Sequence, residues 1–195
     1  MKDILSALNP EQREAVLHAK GPSMVIAGAG SGKTRVLTYR IAHLISQGAD
    51  AFAILALTFT NKAAREMKER IANVIGDGEA RNIWMGTFHS VFARILRIEC
   101  ERINYPRNFT IYDTSDSRAL IKDIVKGLGL DDKVYKASSI QSRISSAKNN
   151  LIDAKGYADN TDIMSEDNQA GRPRIHEVYK AYESRCFRAQ AMDFD

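Results

Sequence analysis

The sequence predicts an α/β protein, a parallel sheet with helices on both faces followed by a mostly helical second region. Three observations predict it. Three apolar runs, Met24-Val25-Ile26, Ile54 to Phe59 and Ile83 to Thr87, each precede a stretch with helical periodicity, the order that right-handed βαβ crossovers need. The run Ile54-Leu55-Ala56-Leu57-Thr58-Phe59 is continuous rather than alternating, as in a strand covered on both faces. After Pro106, strand-like runs give way to capping clusters and helical stripes. With 195 residues, 44% of them hydrophobic, the chain can bury a sizeable core.

Each element has a local reason. Asn9 is an N-cap and Pro10 a first-turn residue for a helix through Ala15, Val16 and Leu17, which Gly21-Pro22 ends. Met24-Val25-Ile26 reads as a strand, Ala27 to Thr34 as a loop, and Val36, Leu37, Tyr39, Arg40, Ile41 and Leu44-Ile45 as a helix closed by Gly48. A second strand over Ile54 to Phe59 leads to a helix capped by Thr60, running to about Ile75 and broken by Gly76 and Gly78. A third strand over Ile83 to Thr87 is followed by a helix from Phe88 to Arg102. Domains are expected at 1–103 and 104–195. In the second, Asp113-Thr114-Ser115-Asp116 caps a helix carrying Ala119, Leu120, Ile124, Val125 and Leu128 and ended by Gly129. A polar helix over Ser139 to Lys148 follows, then a loop through Asn160, Gly171 and Pro173, then a helix with Ile175, Val178-Tyr179, Tyr182 and Phe187.

Composition excludes several classes. Cys100 and Cys186 are far apart and outside any C-x-x-C spacing, so neither a zinc site nor a disulfide framework is indicated, and a reducing cytoplasm is expected. Asp3 and Asn9-Pro10 interrupt the place where a signal peptide would carry its apolar core. The longest apolar stretch, Ala51 to Leu57, is far short of the ~20 residues that span a bilayer. A soluble, cytoplasmic protein without a membrane partner is expected. The net charge of +4 is compatible with a nucleic-acid partner without requiring one.

Ala27-Gly28-Ala29-Gly30-Ser31-Gly32-Lys33-Thr34 fits the nucleotide-phosphate cradle G-x-x-x-x-G-K-[ST], except that Ala27 replaces its first glycine. Glycines bring successive N–H groups onto a phosphate, Lys33 supplies charge and Thr34 a Mg²⁺ ligand. Gly32 and Lys33 open a helix whose N-terminal dipole favours an anion. The Gln12 carboxamide offers a donor and an acceptor to an adenine edge, or is a solvated first-turn residue. Arg35 points to the nucleotide or lies on the helix surface. Phe59 with Thr60, Asn61 and Lys62 stands where ligands meet open α/β sheets, and an aromatic face beside polar groups and a lysine suits single-stranded nucleic acid. The alternative is a core phenylalanine before a helix cap. Gly86-Thr87-Phe88-His89-Ser90 repeats that logic at the third strand end, where His89 is otherwise a surface or capping histidine.

Taken in order, these residues resemble the amino-terminal part of the first motor domain of UvrD/Rep/PcrA-type superfamily-one DNA helicases. Leu8-Asn9-Pro10-Glu11-Gln12 is similar to that family's adenine-reading Q motif. Ala27 to Thr34 resembles motif I, in which alanine is a usual first residue. Thr58-Phe59-Thr60-Asn61-Lys62-Ala63-Ala64 resembles motif Ia, and Gly86-Thr87-Phe88-His89-Ser90 the next motif, both of which line a single-stranded DNA path. The resemblance implies a partial RecA-like P-loop sheet with an inserted helical 1B subdomain from about Asn104. It also implies ATP and Mg²⁺ as cofactors and single-stranded DNA as partner, with 3′ to 5′ movement. Lys33 and Thr34 are implied as catalytic, Gln12, the loop from Ala27 and Arg35 as nucleotide-binding, and Phe59, Thr60, Asn61, Lys62, Phe88 and His89 as DNA-binding. Met192-Asp193-Phe194-Asp195 is similar to a short acidic segment ahead of the family's Walker B strand. ATP hydrolysis needs an acidic pair and γ-phosphate-facing arginines. No Asp-Glu dipeptide occurs in the chain. The expectation is therefore a fragment that needs the remainder of its helicase chain and is inactive alone. The alternatives are the motor of a helicase-nuclease and a non-catalytic nucleotide- or DNA-binding module. A P-loop kinase is disfavoured by both strand-end motifs.

Overall fold

The computed structural model describes residues 4–18 and 20–195, so Asp3 lies outside it. The chain divides into two compact units, Met1–Ile95 and Leu96–Asp195.

In the first unit, α1 (Pro10–Leu17) is held by a reciprocal capping box between Asn9 and Gln12. It packs on α2 (Lys33–Ser46) through Leu8, Val16 and Val36. Two strands, β1 (Leu55–Thr58) and β2 (Trp84–Thr87), pair in parallel with Thr58 opposite Thr87. Their crossover holds α3 (Asn61–Ile75), capped by the Thr60 hydroxyl, and the short α4 (Asp77–Asn82), which runs through Gly78. The α3 helix packs on both strands and on α2, burying Ile41, Ala56, Met67, Ile71 and Ile83. The expected strand at Met24-Val25-Ile26 does not form. Residues 22–28 have no regular structure, and Met24 and Ile26 are 84% and 87% exposed. A strand is held by its neighbour's ladder, and the described strands of this unit, β1 and β2, pair only with each other.

The helix α5 (Phe88–Glu99) stops earlier than periodicity suggests, in a 3₁₀ turn at Cys100–Ile103 closed by left-handed Asn104. The second unit then contains a parallel pair absent from the sequence reading, β3 (Thr110–Ile111) with β4 (Ala191–Met192). Between them lie α6 (Thr114–Gly127), α7 (Ala137–Asn149), α8 (Ala154–Asp159), α9 (Thr161–Gln169) and α10 (Ile175–Arg188). The expected loop through Asn160 is thus largely helical. Asp153 caps α8 and Asn160 caps α9, each accepting first-turn N–H bonds. The core of this unit centres on Ile121, Ile140, Ile144, Tyr157, Tyr179 and Tyr182. Among the described residues no helix is long and apolar enough to cross a membrane.

Candidate functional site

The loop from Ala27 to Thr34 is shaped by its glycines. Gly30 and Gly32 have φ of +77° and +87°, in the left-handed region that a side chain disfavours. A Cβ on Gly32 would also stand 2.6 Å from Gln12 Nε2. Gly32 supplies no side-chain cap to α2, so the first-turn N–H groups of that helix are left for an anion. The Ser31 hydroxyl donates to the Gly28 carbonyl at 2.7 Å and tightens the turn. Lys33 Nζ reaches back across the loop and donates to the carbonyls of Ala27 at 2.9 Å and Gly28 at 2.7 Å. An incoming phosphate would compete with these carbonyls for the ammonium. Added Cβ atoms at Gly28 and Gly30 would meet nothing within 4 Å, so the loop has an open side. These donors and this space fit the phosphates of a nucleotide.

Gln12 is not a merely solvated residue. Its Oε1 accepts from the Asn9 N–H at 3.3 Å, and its Nε2 donates to the Ser31 carbonyl at 3.0 Å, tying α1 to the loop. The exposed Arg35 guanidinium lies 5.6 Å from the Tyr39 ring one turn along α2. Thr34 is exposed in the first turn, its carbonyl accepting from the Thr38 hydroxyl at 2.9 Å.

The parallel register brings the two other motifs together. Because Thr58 faces Thr87, the next residues, Phe59 and Phe88, leave the sheet side by side, with ring centroids 5.3 Å apart and planes tilted by 40°. Phe59 is 88% exposed, which excludes the core reading. Thr60, Asn61, Lys62 and His89 are exposed around it. The Thr60 hydroxyl is engaged as the cap of α3, accepting from the Ala63 N–H at 3.2 Å.

Three features escaped the sequence reading. Gly86 is needed because α5 turns back onto β2, where a Cβ would stand 2.6 Å from Ser90 Oγ and 2.9 Å from Val91 Cγ2. Arg94 lies over the Trp84 ring at 4.4 Å. Phe92 continues the aromatic row from Phe88, with centroids 6.4 Å apart. The positive charge is also uneven. Residues 1–95 carry twelve Lys and Arg against eight Asp and Glu, whereas residues 96–195 carry sixteen of each.

The second unit has its own polar centres. Arg143 donates from Nε to Asp167 at 3.0 Å and from Nη2 to Glu166 at 2.8 Å, while the Tyr157 hydroxyl donates to Asp167. Burial, first, and then the bond to Asp167 push the Tyr157 phenol above its ordinary range. Asp193 is held by Lys148 Nζ at 2.6 Å and by the Tyr182 hydroxyl at 2.8 Å. Among the described residues no group of three or more His, Cys, Asp or Glu could hold a metal ion.

Residues 8–195 match the UvrD/REP helicase N-terminal domain family. The chain is 46% identical over 197 residues to the ATP-dependent DNA helicase PcrA of Leuconostoc citreum, covering 100% of this chain and 25% of that protein. It is 46% identical to the protein of the same name from Bacillus subtilis, covering 98% of this chain and 25% of the relative. A third, from Staphylococcus aureus, is 44% identical over the whole of this chain and 26% of its own length. The chain thus spans about a quarter of the length of these relatives.

Proposed function

The chain belongs to the UvrD/REP helicase N-terminal domain family, and from that membership we propose that it forms the ATP-binding portion, and part of the single-stranded-DNA-binding portion, of a 3′ to 5′ DNA helicase acting in the cytoplasm. The single observation that carries this reading is the pairing of a glycine-shaped loop ending in Lys33-Thr34 with two aromatic strand ends placed side by side by the β1–β2 register. Residues 1–103 form part of a RecA-like motor domain with helices on both faces of its sheet, and residues 104–195 a helical 1B-like insertion.

Lys33 leaves the carbonyls of Ala27 and Gly28 to neutralise the β- and γ-phosphates. The N–H groups of Gly28 to Gly32 and the start of α2 cradle the remaining oxygens. Gln12 reads the adenine edge from its anchorage on Ser31, and Arg35 flanks the nucleotide. Thr34 would hold a Mg²⁺ ion from this chain, and that ion would supply positive charge to the phosphates. Phe59 and Phe88 stack bases, while Thr60, Asn61, Lys62 and His89 hold the backbone. Hydrolysis further needs a carboxylate pair and arginines facing the γ-phosphate. The remainder of a longer helicase chain supplies them, and these 195 residues alone turn over no ATP.

Isothermal calorimetry with Mg·ATP tests the assignment. Weak binding that Lys33→Ala abolishes is expected, and binding untouched by Lys33→Ala removes the loop from the nucleotide site. DNA-stimulated ATP turnover by residues 1–195 that Lys33→Ala abolishes would overturn the claim of inactivity.

A further inference from the structure

We propose that Phe92 is a third aromatic binding residue for single-stranded DNA, extending the platform of Phe59 and Phe88 along α5. This assignment rests on the strand path proposed above and adds a residue to it. The observation behind it is a row of rings rather than a lone exposed side chain. Phe92 follows Phe88 by one helical turn, so both project from the same face of α5. Their centroids are 6.4 Å apart with planes tilted by 33°, and Phe88 is in turn 5.3 Å from Phe59. All three are accessible, at 88% for Phe59, 38% for Phe88 and 46% for Phe92. The buried residue of α5 is Val91, packed against Gly86, whereas Phe88 and Phe92 on the neighbouring stripe stay accessible.

The geometry also selects how a base is taken. Inserting a base between two rings needs about 7 Å between parallel planes, two van der Waals contacts deep. Both gaps here are shorter and both pairs are tilted, so the rings support one another and offer their outer faces as successive steps. Bases laid across such steps stack without hydrogen-bond readout, which gives sequence-tolerant binding. Charge favours the same occupant over an apolar protein segment. The excess of Lys and Arg is confined to residues 1–95, and Lys62 and Arg65 stand exposed on α3 just beyond Phe59.

The test is fluorescence anisotropy of the protein with a labelled oligo-dT and a matching abasic strand, at ~50 and ~200 mM salt. Phe92→Leu, which keeps apolar bulk without a ring, should weaken oligo-dT binding about fivefold or more, the low end of what one stacked base contributes. Phe92→Tyr should bind as the wild type. Neither variant should change binding to the abasic strand or the slope of affinity against salt, since a ring neutralises no phosphate. If Phe92→Leu binds oligo-dT like the wild type while Phe59→Leu loses affinity, the Phe92 assignment fails and the strand path stands. Equal losses on the abasic strand also overturn it, because they mark a structural role. If the wild type and all variants fail to bind oligo-dT, the strand path itself fails.

Discussion

Gly32 is asked for three things at once: a left-handed backbone, close passage of Gln12, and an uncapped helix start. Gly32→Ala should cost roughly 1–2 kcal/mol in backbone strain and displace the Gln12 carboxamide from Ser31. Thermal melting reads the first effect, and loss of ATP binding by calorimetry reads the second. Gly86 is constrained differently, by contact rather than by backbone angle. Gly86→Ala drives a methyl into Ser90 and Val91 and should destabilise by about 1–3 kcal/mol, measured by urea unfolding. The same substitution should splay α5 from β2 and with it the spacing of Phe59 and Phe88. Gly32 answers a demand of backbone angle, and Gly86 one of side-chain contact.

The element that best shows its own logic is α6. The Ser115 hydroxyl, together with the first-turn N–H groups of Asp116 and Ser115, holds the Asp113 carboxyl below the usual carboxylate range. A lowered value in the folded state favours folding at pH above the ordinary carboxylate value of about 4. That contribution is lost as pH falls through the lowered value. An acid titration followed by far-UV circular dichroism should therefore show a loss of helix that Asp113→Asn, whose amide caps without titrating, makes less steep. Caps of this kind were legible because they are local: Asn9, Thr60 and Asp113 each bond to an N–H two or three residues away. The short helices α8 and α9 obey the same rule through Asp153 and Asn160, but lack a long apolar stripe, so polar composition there suggested a loop. Met24-Val25-Ile26 failed in the opposite sense. Its composition suits a strand, but a strand needs a neighbour, and composition does not say whether one is present. Of the site, each motif was legible alone. The β1–β2 register that joins two of them, and the placement of Phe92, depend on pairing across the crossover and were not.

At the scale of the whole molecule, the second unit is fastened where its chain enters and leaves. Tyr112 donates its N–H to the Met192 carbonyl at 2.7 Å, and Thr110 to that of Gln190 at 3.0 Å. Directly after β4, Asp193 is locked by Lys148 and Tyr182, its own side chain only 8% exposed. Lys148→Met leaves that carboxylate without its counter-ion. It should destabilise the second unit by about 2 kcal/mol, below the roughly 3–5 kcal/mol of a fully buried pair because Lys148 retains partial solvent access. Guanidinium unfolding followed by tyrosine fluorescence would measure it. The β3–β4 fastening also has a kinetic meaning. It joins positions far apart in the chain, so its loop-closure entropy is repaid only after the five helices between them have packed. The short parallel ladder is thus a late event in folding, and substitutions in it should speed unfolding while leaving the refolding rate nearly unchanged.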